Sequence, residues 1–129
     1  IVGLTAESLA RETRSDPSHA ELLGSFSDRR EALSDTLERI SGAYPATWDI
    51  VKITDTFGPA ATREDADALV VAPEGKAQQR ARELNDERLR RGYHPLEIHT
   101  SPFVVAEDGL RISSTRIRNG EIDAQGRTQ

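Results

Sequence analysis

The chain contains no cysteine, which excludes disulfides, thiolate nucleophiles and Cys-ligated zinc. It contains no methionine either, even at position 1, so translation is expected to start upstream of Ile1. No run of about 18 apolar residues occurs, so no span long enough for a bilayer is expected. No signal-peptide pattern opens the sequence, and a cytoplasmic location with no membrane partner is expected. Lysine is scarce: Lys52 and Lys76 are the two lysines, and the rest of the 17 basic residues are arginine. The net charge of −5 argues against a broad nucleic-acid-binding surface. Excess acid with little lysine suits a high-salt organism, where hydrated carboxylates keep a surface soluble. GC-rich coding produces the same bias, and neither says anything about a reaction. What is present, 129 residues that are 36% hydrophobic and 30% charged, fits one compact domain over residues 1–129.

Strand and helix signals alternate. Ile1–Leu4 reads as the tail of a buried strand. Thr5 follows as an N-cap with Glu7 in the first turn, and Asp16–Pro17 marks a loop. A second helix is expected with Ser27 as cap, Leu33, Leu37 and Ile40 on one face, and Gly42 at its end. Trp48–Ile53 reads as a strand, 54–59 as a loop, and Thr62–Asp65 has capping-box spacing. Ala68–Ala72 is a continuous apolar run, expected to be a strand buried on both faces, with a turn at Pro73–Gly75. Lys76–Arg91 reads as a charged helix ended by Gly92. Pro95–Ile98 and Phe103–Val105 are expected as short strands, and Ser113–Thr115 as the start of a short helix stopping near Asn119–Gly120. Residues 121–129 read as a polar, frayed tail. The alternation predicts an α/β fold with a mostly parallel sheet.

In such sheets ligands bind beyond the carboxyl ends of strands. Three polar loops fall there: Thr5, Pro73–Gly75 and Ser113–Thr115. The last places hydroxyls beside unpaired backbone N–H groups at a helix start, an arrangement that suits phosphate. Arg116 and Arg118 supply cations whose forks match phosphate oxygens. An ordinary N-cap followed by a solvated basic helix is the plainer reading of the same residues.

Ile112-Ser113-Ser114-Thr115-Arg116-Ile117-Arg118 resembles the ISSTxIR signature of the nucleotidyltransferases that also carry an HxGH motif. Further segments are similar to the archaeal phosphopantetheine adenylyltransferases: Val2-Gly3-Leu4-Thr5, Ser25-Phe26-Ser27-Asp28-Arg29-Arg30, Asp67 through Glu74, and Asn85-Asp86-Glu87-Arg88 followed by Gly92 and Pro95-Leu96. The resemblance implies a Rossmann-like nucleotidyltransferase fold. It also implies transfer of an adenylyl group from ATP, with Mg²⁺, to 4′-phosphopantetheine, giving dephospho-coenzyme A and pyrophosphate. By the same carry-over, Ser113, Ser114, Thr115 and Arg118 hold the nucleotide phosphates. Thr5, Arg29 and Glu74 are candidate phosphate or acceptor contacts. No protein ligand for a metal is implied. Arg11 or Arg14 is a candidate for the acceptor phosphate, where bacterial relatives use a lysine. ATP, 4′-phosphopantetheine and dephospho-coenzyme A or coenzyme A are the expected partners.

The sequence departs from the family in two places. HxGH, the strand before it and the helix after it are not found in residues 1–129, so the catalytic residues are not assigned. His19, His94 and His99 lack the spacing to replace the two histidines and read as surface residues. In a 3-2-1-4-5 strand order the first strand is central, and without it two half-sheets remain. Roughly 25–30 preceding residues, one βα unit, are therefore expected. Ala72-Pro73-Glu74-Gly75 also stands where the branch commonly has SPET, losing two hydroxyls. A cytidylyl- or other nucleotidyltransferase, and a non-catalytic nucleotide- or coenzyme A-binding homologue, are the alternatives.

Overall fold

The computed structural model describes residues 1–13 and 17–129. Arg14 and Asp16, on which two expectations rest, lie outside the described residues. The described chain divides into two compact units, Ile1–Thr62 and Arg63–Gln129.

In the first unit, β1 (Val2–Thr5) and β2 (Ile50–Ile53) pair in parallel, with Val2 opposite Ile50 and Thr5 opposite Ile53. A parallel pair requires a crossover. It contains α1 (Glu7–Glu12), a 3₁₀ turn over Pro17–Leu22 and α2 (Phe26–Ser41). Both capping expectations move. Thr5 ends β1 and caps nothing; Ala6 holds the N-cap of α1 without a side-chain bond. The parallel ladder carries through this point, because the Ala6 N–H donates to the Ile53 carbonyl at 2.8 Å. Ser25, not Ser27, caps α2, its Oγ accepting from the Asp28 N–H at 3.0 Å. The earlier start places Phe26 in the helix, where its ring lies 4.8 Å from the Lys52 ammonium and 5.9 Å from the Arg29 guanidinium. No helix opens at Thr62–Asp65. Thr62 closes a 3₁₀ turn over Gly58–Ala61, and the Asp65 carboxylate pairs with Arg63 at 2.9 Å instead of reaching back to a cap.

In the second unit, β3 (Ala68–Val71) and β4 (Glu97–Thr100) pair in parallel, Ala68 opposite Glu97 and Val71 opposite Thr100. The crossover is α3 (Gly75–Arg90). Its end follows the expectation for Gly92, which takes φ +80°. The Tyr93 N–H donates to the Arg88 carbonyl at 2.9 Å and the Gly92 N–H to Leu89 at 3.0 Å, the paired bonds of a Schellman motif. β4 starts two residues later than expected, for a local reason. Asn85 occupies both backbone groups of Leu96, donating from Nδ2 to its carbonyl at 3.0 Å and accepting its N–H at 2.8 Å. The strand ladder therefore begins at Glu97, whose N–H donates to Asp67.

Three other expectations change. Ala68–Val71 is not buried on both faces: Leu69 and Val71 are half-buried, while Ala68 and Val70 are exposed, Val70 at 71%. α3 packs on β3, and strand side chains alternate between faces. Phe103–Val105 is not a strand of the sheet. It leads into a small antiparallel hairpin in which Val105 bridges Arg111 and the Ile112 N–H donates to Val104 at 2.8 Å. Asp108-Gly109 makes the turn, with Asp108 Oδ1 accepting the Leu110 N–H at 3.0 Å. Residues 121–129 fold back, with Ile122 bridging Thr128. Ile122, 1% exposed, is the most buried apolar side chain among the described residues.

The strands thus form two parallel pairs, β1–β2 and β3–β4. Among the described residues the buried apolar side chains are Ala6, Ala10, Ile50 and Ala61 in the first unit and Ala81, Leu84, Leu96, Ala106 and Ile122 in the second. Arg88 is fully buried beside the latter set. It donates to the carbonyls of His94 at 2.9 Å and Arg63 at 2.7 Å, and more weakly to Glu64 and Ala66.

Candidate active site

The carboxyl ends of β3 and β4 open onto a cavity of about 720 Å³. Its apolar wall includes Val71, Phe103, Ile112 and Ile117, and its polar groups include Glu74, Arg111, Ser113 and Ser114. The structure therefore brings Glu74 together with two of the four candidate nucleotide residues. Glu74 stands at the N-cap of α3 and makes no capping bond. Its carboxylate pairs with Arg111 instead. Arg111 lies 5.5 Å from the Phe103 ring centroid.

The Ile112–Arg118 segment folds as expected. Ser113 is extended and caps α4 (Ser114–Arg118), its Oγ accepting the Arg116 N–H at 3.3 Å. α4 ends in a second Schellman motif around Gly120, which has φ +73°. The Glu121 N–H donates to Arg116 and the Gly120 N–H to Ile117, both at 3.0 Å. The two arginines of this segment separate in role. Arg116, expected to supply a cation to phosphate, is committed elsewhere. It pairs with Asp108, donates from Nε to Glu121 at 3.0 Å and from Nη1 to the Arg111 carbonyl at 3.0 Å, and only 14% of its side chain is exposed. Asp108 is held below the ordinary carboxyl range chiefly by its hydrogen bond from Arg116. Glu121 is lowered first by Asn119 and then by Arg116, and Arg116 is raised in turn by both carboxylates. Arg118 is half-buried, and its Nε has no hydrogen-bond partner among the described residues. Thr115 lies in the first turn of α4 and does not line the cavity.

Thr5 and Arg29 meet each other in the first unit. Arg29 Nη2 donates to the Thr5 carbonyl at 3.0 Å and Nε to Gly24 at 3.1 Å. Arg29 is thus a half-buried tie between α2 and the end of β1, not a freely solvated helix arginine. Arg11 donates to the Ala20 carbonyl at 3.1 Å. His94 and His99 are more than half exposed, beside Asp67 and Glu97. Among the described residues no three His, Cys, Asp or Glu side chains gather as a metal cluster. Arg111 escaped the sequence reading. The signals that could have found it are its place directly before the signature and the Asp108-Gly109 dipeptide, a strong hairpin turn signal, which folds it back beside Val105.

Two parallel strand pairs crossed by helices, with the signature segment at the carboxyl ends of β3 and β4, are the α/β arrangement of the Rossmann-like nucleotidyltransferase fold. A solved structure described as a protein of unknown function from Archaeoglobus fulgidus shares this fold, with a TM-score of 0.60 and 24% identity, covering 77% of this chain and 64% of that one. No family profile matches the chain. The phosphopantetheine adenylyltransferase of Methanosarcina mazei is 34% identical over 126 residues, 98% of this chain and 75% of that protein. That of Methanopyrus kandleri is 35% identical over 95% of this chain and 72% of its own length. The chain belongs to the phosphopantetheine adenylyltransferase family.

Proposed function

We infer that this protein transfers the adenylyl group of ATP to 4′-phosphopantetheine, giving dephospho-coenzyme A and pyrophosphate, as a cytoplasmic step of coenzyme A synthesis. The observation that carries this reading is the similarity to the Methanosarcina mazei enzyme across 98% of the chain. The capped Ser113–Arg118 segment beside the cavity supports it. No helix among the described residues is long and apolar enough to cross a membrane.

The chemistry places modest demands on the protein. The attacking group is a phosphate oxygen that is already ionised, so no general base is required. That oxygen bonds to the α-phosphorus, the bond to the β-phosphate oxygen breaks, and pyrophosphate leaves with the electron pair. The site must hold the two phosphates in line and stabilise the charge that develops. In this reading Ser113, Ser114, Thr115 and Arg118 bind the ATP phosphates. The Ser113 Oγ already accepts a backbone N–H, which leaves its hydroxyl proton free to donate outward. Arg118 brings a fixed charge with an unused Nε donor. Mg²⁺ bound with the nucleotide would supply further stabilisation of the phosphate charge, with no protein carboxylate cluster needed to hold it. Thr5 and Arg29 are assigned to the acceptor. The Arg29 fork has five donors, and two are engaged by the Gly24 and Thr5 carbonyls.

The test is a radiolabel assay on the full-length protein with ATP, Mg²⁺ and 4′-phosphopantetheine, at low and high salt. Dephospho-coenzyme A is expected, and Thr115→Ala or Arg118→Ala should lower kcat/KM by about 10² or more, as loss of a charge-stabilising donor does. ATP binding without product would redirect the reading to another acceptor or to a binding-only homologue. Turnover with CTP in place of ATP would redirect it to cytidylyl transfer.

A further inference from the structure

We propose that Arg111 is a phosphate-binding residue of the nucleotide site and that Glu74 is its internal stand-in, occupying the guanidinium until a nucleotide's phosphates replace it. This rests on the reading that the cavity takes ATP. Arg111 lies outside the Ile112–Arg118 signature, and four observations assign it the role. Arg111 and Glu74 line the same cavity as Ser113 and Ser114, two of the residues assigned to phosphate. Glu74 forgoes the capping bond open to it at the start of the 16-residue α3 and turns to a partner 37 residues away. The Arg111 backbone is fixed independently of that pairing, by the bridge to Val105 and by its carbonyl accepting from Arg116. Its head can therefore change partners without the hairpin moving. Finally, Glu74 and Arg111 side chains are each 45% exposed, and ion pairs that exposed contribute little to stability.

The contrast with Arg116 sharpens the assignment. Arg116 is 14% exposed and engages two carboxylates and a carbonyl, as a structural arginine does. Arg111 has one ion-pair carboxylate and one aromatic face among the described residues. A guanidinium fork fits phosphate as well as carboxylate, and a triphosphate carries more charge than the single carboxylate it would displace. Pairing with Arg111 also neutralises an anion that would otherwise repel phosphate inside the cavity.

The experiment is calorimetric titration of the full-length protein with ATP and, separately, with adenosine. Arg111→Ala should weaken ATP binding about tenfold or more, the scale of one lost charge-assisted contact, and leave adenosine unchanged. Arg111→Lys should recover part of the loss, since it keeps the charge without the fork. Glu74→Gln removes the competing anion and should tighten ATP severalfold, again without effect on adenosine. In the Arg111→Ala background, Glu74→Gln should not tighten ATP further. Equal loss of ATP and adenosine in Arg111→Ala, or no loss of ATP, would overturn the proposal and leave the nucleotide reading standing. A wild-type protein that binds neither ligand would overturn both. Binding of ATP without transfer to 4′-phosphopantetheine would count against the acceptor alone.

Discussion

Fifteen of the seventeen basic residues are arginines, and the sequence does not distinguish their roles. Arg88 is fully buried and gathers backbone carbonyls; Arg116 clamps a hairpin to a helix; Arg118, the last residue of the signature, keeps an unused Nε donor among the described residues. Charge and residue type are the same in each case. What differs is which carbonyls and carboxylates the chain brings within reach. The Asn85–Arg88 segment shows the same point. It carries part of the family resemblance, yet Asn85 and Arg88 bind backbone rather than face the cavity. Asn85→Ala leaves both backbone polar groups of the buried Leu96 without their partner. It should cost about 1–3 kcal/mol, read as a lower midpoint in urea. Asn85→Asp should recover little, because a carboxylate accepts the Leu96 N–H but has no donor for its carbonyl. Equal stability of all three proteins would show that the clamp is dispensable.

At the scale of elements, helix ends were more legible than helix starts. Gly92 and Gly120 mark two stops, and both take the positive φ that Schellman motifs need. Glycine meets that need at no steric cost. Gly120→Ala should cost about 1–2 kcal/mol through left-handed backbone strain. Because the Glu121 N–H bond to Arg116 closes this motif, the substitution should also raise the KM for ATP by disturbing α4. Thermal denaturation and initial-rate kinetics check the two effects, and a stable variant with altered KM would separate them. The start of α2 is ambiguous in sequence because Ser25 and Ser27 both offer a capping hydroxyl, and that of α1 because Thr5 offers one that the helix does not use. The choice among them was made by the extension of β1 through Ala6 and by the packing of Phe26 against two cations.

At the scale of the whole molecule, the described core is small, and surface ion pairs and turn hydrogen bonds accompany it. Asp65, Glu87, Asp108, Glu121 and Asp123 are all held below their ordinary values. The leading causes are hydrogen bonds from Arg63, Arg91, Arg116, Asn119 and the Arg127 N–H respectively. A carboxyl group whose folded value is depressed stabilises the fold above its unfolded value and loses that contribution as pH falls through the folded one. Stability should therefore be level from neutral pH down to the ordinary carboxyl range of 3.8 to 4.5 and fall below it. The raised value of Arg116 adds nothing to this acid slope, because that group is charged throughout. Asp108→Asn should lower Tm at pH 7 and flatten the acid limb. Parallel Tm-against-pH curves for the two proteins would show that the pair is unlinked to folding.

Sequence by itself determined the alternation of strands and helices, the parallel pairing and the Ser113–Arg118 helix, because each rests on local pattern, and the family, through the resemblance of segments spread along the chain. Apolar runs bounded by turn residues, capping hydroxyls and helix-ending glycines act within a few neighbours. Tertiary structure alone decided which arginines became clamps, that β3 is covered on one face, that residues 121–129 fold back over Ile122, and that Glu74 meets Arg111 across 37 residues. Those outcomes depend on which groups a crossover and a hairpin bring together. Charge pairing and burial act through space, and no window along the chain contains both partners.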